Sequence, residues 1–333
     1  MTAPTEYVCC NLCGSRNATV RYSNVMRIDT KDTQVVECDQ CGLVYLNPRL
    51  ERLSDNFTMD EAYLLQFYLP YYQKLKLLTE TGELDREQNY RFHQGALMQM
   101  QPYRETNRVL DVGCAIGLFL AAAHEDGWQG LGVEPSHHLS AYGRRKFGLS
   151  ISEGVLNQLD FPQNYFDVVT LWDVTEHLLD PMATYQLVNR VLRPGGLLLL
   201  RMPNWQSLAR ELLGPAWDMF VTDHFYYFTP ITLGSLLQRT GFVPKYISAK
   251  GLVDSEIEEI KTKIGPQAVE EALHRLQNLP NSDCGSSLTA AAEKTLSRTE
   301  RWQKASQLVR SGAWRTLAQE TLSYGRWMFR NPR

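Results

Sequence analysis

Val109-Leu110-Asp111-Val112-Gly113-Cys114-Ala115-Ile116-Gly117, followed at once by the apolar run Leu118-Phe119-Leu120-Ala121-Ala122-Ala123-His124, reads as a buried strand, a glycine turn and a helix. A turn of this kind brings the backbone close to a ligand at the carboxyl edge of a sheet. A dinucleotide fingerprint would need G-x-G-x-x-G; counted from Gly113, its later glycines fall on Ala115 and Leu118, so two of three are missing. What remains is D-x-G-x-x-x-G. Seventeen residues after Gly117, Leu131-Gly132-Val133 ends in Glu134, a carboxylate able to accept from both hydroxyls of a ribose.

Working outward, apolar strands alternate with amphipathic helices, the pattern of a mostly parallel sheet covered on both faces. Strands are expected at Arg108 to Val112, Gly130 to Glu134, Ser150 to Glu153, Phe166 to Leu171, Gly196 to Met202 and Gly241 to Ile247. Asp180-Pro181 starts a helix that Arg193-Pro194-Gly195-Gly196 stops. After Gly251 no further strand is evident, and helical periodicity runs from Asp254 onward with a Pro/Asn/Ser/Gly-rich break at Asn278 to Ser287. Upstream, Asn56 to Gln101 is aromatic and helical; core packing is the favoured duty of most of Tyr68, Tyr71 and Tyr72, with a lid as the alternative.

The N-terminal segment carries a different signal. Four of the seven cysteines form two C-x2-C pairs, Cys10/Cys13 and Cys38/Cys41, each followed by a glycine, Gly14 or Gly42. Two such turns make a tetrahedral four-thiolate site with no open position, so a zinc ion there is structural. Short β-prone stretches at Thr19 to Tyr22 and Thr33 to Glu37 suit a ribbon hung on that metal. The alternative is four buried, unligated thiols, but a segment so poor in large aliphatics needs a staple to fold. Cys9 competes with Cys10; the regular spacing favours Cys10. The expected organisation is a zinc ribbon over 1–48, a helical connector over 49–103, an α/β core over 104–250 and a helical extension over 251–333.

Composition bounds the classes. The 333 residues are 44% hydrophobic, 21% charged and 11% aromatic, which excludes disordered, collagenous and coiled-coil chains. With 34 Lys and Arg against 37 Asp and Glu, the net charge of −3 argues against a nucleic-acid partner. No apolar run approaches the ~20 residues of a membrane span. The first residues lack a basic-then-apolar leader, so a cytoplasmic location is expected. The stretch Arg301 to Arg333 has seven basic residues and one acidic, interleaved with Trp302, Trp314, Trp327 and Phe329. It reads either as a helix packed on the core or as a peripheral contact with an anionic membrane.

Asp111-x-Gly-x-x-x-Gly117, Glu134-Pro135-Ser136, Phe166-Asp167-Val168-Val169 leading to Trp172-Asp173-Val174-Thr175-Glu176-His177, and Leu192-Arg193-Pro194-Gly195-Gly196 occur in order. Together they resemble class I S-adenosylmethionine-dependent methyltransferases over about Arg104 to Ile247. The four-cysteine ribbon ending in Cys41-Gly-Leu-Val-Tyr-Leu-Asn-Pro48, with His224-Phe-Tyr-Tyr-Phe-Thr-Pro230, is similar to zinc-ribbon-bearing bacterial methyltransferases, often associated with surface polysaccharide or natural-product pathways. The resemblance implies a Rossmann-like methyltransferase core with a small ribbon and helical appendages. It implies that Asp111 and Gly113 hold the methionine end of S-adenosylmethionine, Glu134 the ribose, and Leu156-Asn157 the border of the adenine. Cys114, Gly117, Pro135 and Trp172 join that binding set. Asp173 would face the methyl group. The departure is Ala115, where the family usually has glycine.

Methyl transfer from a sulfonium needs mainly positioning and desolvation, and a hydroxyl acceptor adds a general base. His177 and His224 are the candidates. Asp173, Glu176 and His177, at i, i+3 and i+4, would share one face of a helix start; the resembling E-x-x-E-H segment of ubiquinone-pathway O-methyltransferases suggests a divalent ion there, a salt-bridged cap being the alternative. The reading is O-methylation of a sugar or other small metabolite. An RNA methyltransferase using the ribbon, or a non-catalytic scaffold with cofactor binding impaired at Ala115, stand as alternatives.

Overall fold

The structure is a computed structural model that describes residues 4–28, 31–51, 60–250, 254–267, 269–271 and 285–297. The chain opens with β1 (Thr5–Glu6), β2 (Ala18–Ile28), β3 (Lys31–Cys38), β4 (Val44–Asn47) and β5 (Arg49–Leu50). β1 pairs with β5, while β2, β3 and β4 form an antiparallel meander. The two cysteine turns repeat one geometry. Gly14 and Gly42 take φ of 77° and 74°, and their N–H groups donate to Cys10 O at 2.8 Å and Cys38 O at 2.9 Å. Left-handed backbone here falls to glycine because it has no Cβ to clash.

The connector is helical, as its composition predicts: α1 (Glu61–Tyr63) runs through a π turn (Leu64–Tyr68) into α2 (Leu69–Lys74), and α3 (Arg86–Met100) follows an isolated bridge between Leu78 and Leu84. Asp60 and Asp85 cap α1 and α3 by accepting from Tyr63 N–H and Gln88 N–H. Leu64, Leu69, Leu77 and Leu78 are buried with Ile116, Leu118 and Leu139, and Tyr68 and Tyr72 pack against that cluster. The connector therefore lies over the glycine turn.

The α/β segment then runs β6 (Arg108–Val112), α4 (Leu118–Glu125), β7 (Gln129–Glu134), α5 (His137–Phe147), β8 (Ile151–Glu153), β9 (Phe166–Trp172), α6 (Pro181–Val191), β10 (Leu192–Pro203), α7 (Leu208–Leu213), β11 (Tyr226–Tyr227), α8 (Pro230–Arg239) and β12 (Phe242–Lys250). All six strands expected from the sequence are present. β6 pairs in parallel with both β7 and β9, β7 with β8, and β9 with β10. Asp180 caps α6 through Ala183 N–H with Pro181 in its first turn. Asp167, fully buried, accepts from Glu105 N–H, Thr106 N–H and Arg193, tying the entry to β6 to the start of β10.

One feature corrects the expectation. The region after Gly251 is not purely helical: after α9 (Asp254–Ile264) comes β13 (Ser287–Lys294), inserted antiparallel between β10 and β12. The seven-stranded order is β12-β13-β10-β9-β6-β7-β8. The ribbon packs on the α/β core. β11 pairs with β4 and completes the ribbon's four-stranded sheet, and Cys10, Leu12, Tyr45 and Leu50 belong to the same buried cluster as Val188, Leu200 and Tyr226. The stretch Arg301 to Arg333, and Cys284, lie outside the described residues. No helix among the described residues is long and apolar enough to cross a membrane.

Candidate functional site

At the carboxyl end of β6 the chain turns sharply. Gly113, Ala115 and Gly117 take φ of 70°, 51° and 82°. Gly113 N–H and Cys114 N–H both donate to Val133 O, at 2.7 and 3.1 Å, which clamps the turn to β7. A Cβ on Gly113 would lie 2.4 Å from Val174 Cγ2, so side chains are excluded there. Glu134, 6% exposed, fixes the rest: Oε2 accepts from Ala115 N–H at 2.9 Å and Oε1 from Ser136 N–H at 2.8 Å. Burial raises its pKa against these two N–H donors. Ala115 thus occupies left-handed backbone and still donates into the site.

Asp111 is 2% exposed and accepts from Thr170 Oγ1 at 2.6 Å. Burial pushes its carboxyl up to about 7, the Thr170 hydrogen bond opposing and the charge of Glu134 adding. Cys114 is buried and its thiol is held well above its usual range, so it is inert. Leu156 is buried at the start of a 3-10 turn while Asn157 and Pro135 are exposed. Trp172 is partly buried, and its Nε1 has no partner among the described residues.

Beyond β9 and β10 lies a cavity of about 580 Å³. Its polar end presents Asp173, Glu176, His177, Arg201 and His224; its apolar wall comes from Leu213, Trp217, Met219 and Ile260. His177 and His224 stack edge to face with centroids 4.6 Å apart. His177 Nδ1 donates to Asp223 O at 2.9 Å and His224 Nδ1 to Met219 O at 2.9 Å, which leaves Nε2 of each ring without a hydrogen-bond partner among the described residues. Burial disfavours charge on His177, but the Asp223 carboxylate and Glu176 outweigh it and lift its pKa to about 9. Burial and then the charge of His177 push His224 down to about 4. Glu176 is buried, its Oε2 has no partner among the described residues, and burial raises its pKa to about 7.

Asp173 departs from expectation. The sequence puts it on one helix face with Glu176 and His177, but Thr175–His177 is a 3-10 turn and Asp173 precedes it with φ of 55°. Its carboxylate is taken by Arg201, whose Nε donates to both oxygens at 3.0 Å. The cluster the fold assembles is Glu176, His177 and His224, with ligand-type atoms within 4.8 Å of one another. Arg201 escaped notice in the sequence, although a lone cation ending the apolar run Leu197-Leu198-Leu199-Leu200 was its signal.

The cysteines meet as the spacing predicts. Cys10, Cys13, Cys38 and Cys41 bring their Sγ atoms within 4.8 Å of one another, whereas Cys9 is exposed and outside the cluster. Burial raises the Cys38 thiol, but hydrogen bonds from Cys41 and Gln40 N–H outweigh it and lower it to about 7. Burial lifts Cys10 far up and Cys41 to about 11. Four crowded thiols of this kind ionise together only against a cation, and the N–H donors aimed at sulfur suit thiolates.

Residues 84–245 match a family model described as a methyltransferase domain. A ubiquinone biosynthesis O-methyltransferase of Bradyrhizobium sp. (strain ORS 278) is 33% identical over 114 residues, 32% of this chain and 45% of that relative. One from Cereibacter sphaeroides (strain ATCC 17029 / ATH 2.4.9) is 28% identical over 158 residues, 44% of this chain and 63% of that relative. The chain spans about half the length of these two curated relatives (45% and 63%). Among solved structures, a SAM-dependent methyltransferase from Archaeoglobus fulgidus has a TM-score of 0.48 at 19% identity, covering 69% of this chain and 100% of that one. The α/β segment has a Rossmann-like methyltransferase fold.

Proposed function

We propose that this chain is a methyltransferase that moves the methyl group of S-adenosylmethionine to a hydroxyl of a sugar or other small metabolite, and that its ribbon holds a structural zinc ion on Cys10, Cys13, Cys38 and Cys41. The observation that carries the reading is the juxtaposition of a ligand turn bracketed by Glu134 with a cavity whose polar end holds an imidazole Nε2 without a partner among the described residues. The residues suit the cofactor. Gly113, where a Cβ would strike Val174, keeps the backbone of the turn bare, and among the described residues Trp172 Nε1 is a buried donor without a partner. Asp111 and Gly113 would hold its methionine end and Glu134 its ribose, with Leu156 and Asn157 near the adenine. When bound, the cofactor supplies a sulfonium whose methyl is already activated for in-line displacement.

The protein's own work is then to orient, to exclude water and to move one proton. His224 is unprotonated at neutral pH and its Nε2 is the acceptor for the hydroxyl proton. Glu176, with its pKa near 7, is placed to offset the imidazolium that forms. Asp173 and Arg201 form an ion pair at the cavity mouth, and Leu213, Trp217 and Ile260 offer an apolar wall to the body of the acceptor. The test is transfer of labelled methyl to a panel of sugar and phenolic acceptors followed by mass spectrometry. A product that His224→Ala abolishes supports the reading; labelling of RNA alone would overturn it.

A second reading is favoured by Glu176 Oε2, which has no partner among the described residues: a divalent cation held by Glu176, His177 and His224, in place of the Asp173, Glu176 and His177 set suggested by the sequence. Manganese titration followed by electron paramagnetic resonance tests it. Binding that His224→Ala removes would support it, and no binding to the wild type would exclude it.

A further inference from the structure

The ribbon and the acceptor cavity are joined through one buried side chain. β11, the two-residue strand that completes the ribbon sheet, begins two residues after His224 and pairs Tyr226 with Tyr45 and Tyr227 with Val44. Leu46 N–H donates to Phe225 O at 3.0 Å, and Phe225 N–H donates to Glu176 O at 2.7 Å. The segment that carries His224 therefore hangs between the ribbon and the turn that carries Glu176 and His177.

Arg49 stands at the crossing. Its side chain is 9% exposed; Nη1 donates to Leu179 O at 2.8 Å and to Tyr226 Oη at 2.7 Å. Nε and Nη2 donate to Glu6 Oε1 at 3.2 and 3.0 Å, and the guanidinium lies 5.6 Å from the ring centroids of Phe225 and Tyr226. Leu179 is two residues past His177. Tyr226 is 47 residues further along the chain; its Oη donates to Leu179 O at 3.2 Å, and one guanidinium holds both oxygens of that bond. A planar fork can reach a carbonyl, a phenol and a carboxylate at once, which an ammonium on a flexible stem cannot. Burying a cation is costly, and a hydrophobic residue of that size would close the ribbon onto the core without the cost. The geometry it imposes is what that alternative lacks.

We propose that Arg49 is a positioning residue of the acceptor site. By tying Leu179 to Tyr226 it fixes the spacing of the His177 and His224 rings, so the cysteine ribbon clamps the acceptor end of the site. The cofactor end is left to itself: the Gly113–Gly117 turn and Glu134 bond to each other and to Val133, Ala121, Ser136 and Gly154, none of them in the ribbon. The proposal rests on the reading of the cavity as the acceptor end.

The test compares the metal-loaded wild type with Arg49→Met, Arg49→Lys and Tyr226→Phe, the last removing, without adding bulk, one acceptor of the fork together with the Tyr226 Oη bond to Leu179 O. Amide hydrogen exchange is followed in peptides spanning 223–228 and 109–117, histidine ring signals by carbon-edited NMR, and affinity for S-adenosylhomocysteine by calorimetry. Arg49→Met is expected to keep its bound metal and its cofactor affinity within about two-fold while amides 225–227 exchange at least ~10-fold faster. The ring-current-shifted signals of His177 and His224 should move in the same variant. Arg49→Lys should restore them in part, and Tyr226→Phe should shift them in the same direction by less. Unchanged exchange and unchanged ring signals in Arg49→Met would overturn the proposal. So would a parallel loss of cofactor affinity and of protection over 109–117, which would make Arg49 a general stabiliser. Ring signals that move as expected while His224→Ala leaves methyl transfer intact would sink the reading of the cavity alone.

Discussion

Cofactor binding should release a proton from Asp111. This carboxyl is buried beneath the glycine turn with Thr170 Oγ1 at 2.6 Å, and burial places its pKa at about 7. The proposed ligand brings an ammonium group to that end of the site, and a cation at hydrogen-bond range favours the carboxylate. A group with a pKa near 7 is ~50% protonated at pH 7, ~90% at pH 6 and ~10% at pH 8, so binding should release ~0.5, ~0.9 and ~0.1 proton respectively. Affinity should accordingly weaken ~5-fold between pH 7 and pH 6, about 1 kcal/mol. The assay is calorimetric titration with S-adenosylhomocysteine at pH 6 in buffers of different ionisation enthalpy, whose slope counts the protons. Asp111→Asn should flatten the slope while keeping the shape of the turn. A wild-type slope of zero, or a slope that survives in Asp111→Asn, would refute the reasoning.

Gly113→Ala should destabilise the fold by ~2 kcal/mol, because φ of 70° and a Cβ at 2.4 Å from Val174 Cγ2 both oppose it; thermal unfolding measures this, and a neutral variant would show that the turn relaxes. Cys38→Ser should release the ribbon metal to a chromogenic chelator and expose the ribbon to protease, whereas Cys9→Ser, at an exposed position outside the cluster, should change neither. Asp167 has a lowered pKa: burial opposes ionisation, but the Thr106 N–H, Arg193 and Glu105 N–H bonds outweigh it. Its contribution is present above the ordinary carboxylate range and lost as pH falls through its folded value. Asp167→Asn should therefore cost ~1–3 kcal/mol at pH 7 and progressively less in acid, and a pH-independent cost in denaturant titrations would argue otherwise.

Much of the core was legible because its signals are local. Val109-Leu110, Leu197 to Leu200 and the glycine turn announce strands and a ligand edge whatever surrounds them. β13 was not, since Leu288-Thr289-Ala290-Ala291-Ala292 has the composition of a helix; its place between β10 and β12 buries Ala290 and Ala292 and overrides that propensity. β11 was hidden for a related reason. Tyr226 and Tyr227 pair with a strand some 180 residues earlier, and nothing in His224 to Phe228 names that partner. At the site, the spacing of Asp173, Glu176 and His177 presupposed an α-helix, and one left-handed residue at Asp173 sends its carboxylate to Arg201 instead. His224 was found by its side-chain type, but its pairing with His177 depends on the ribbon-held loop and is written in no short stretch of sequence.

The central claim is that the turn bracketed by Glu134 binds S-adenosylmethionine, and titration of the purified chain and of Glu134→Gln with S-adenosylhomocysteine tests it most directly. The account predicts one molecule per chain at micromolar affinity, weakened at least ~10-fold by the variant, which loses the charge-assisted bonds to the ribose. Equal affinity in the two proteins, or no saturable binding to the wild type, would contradict it.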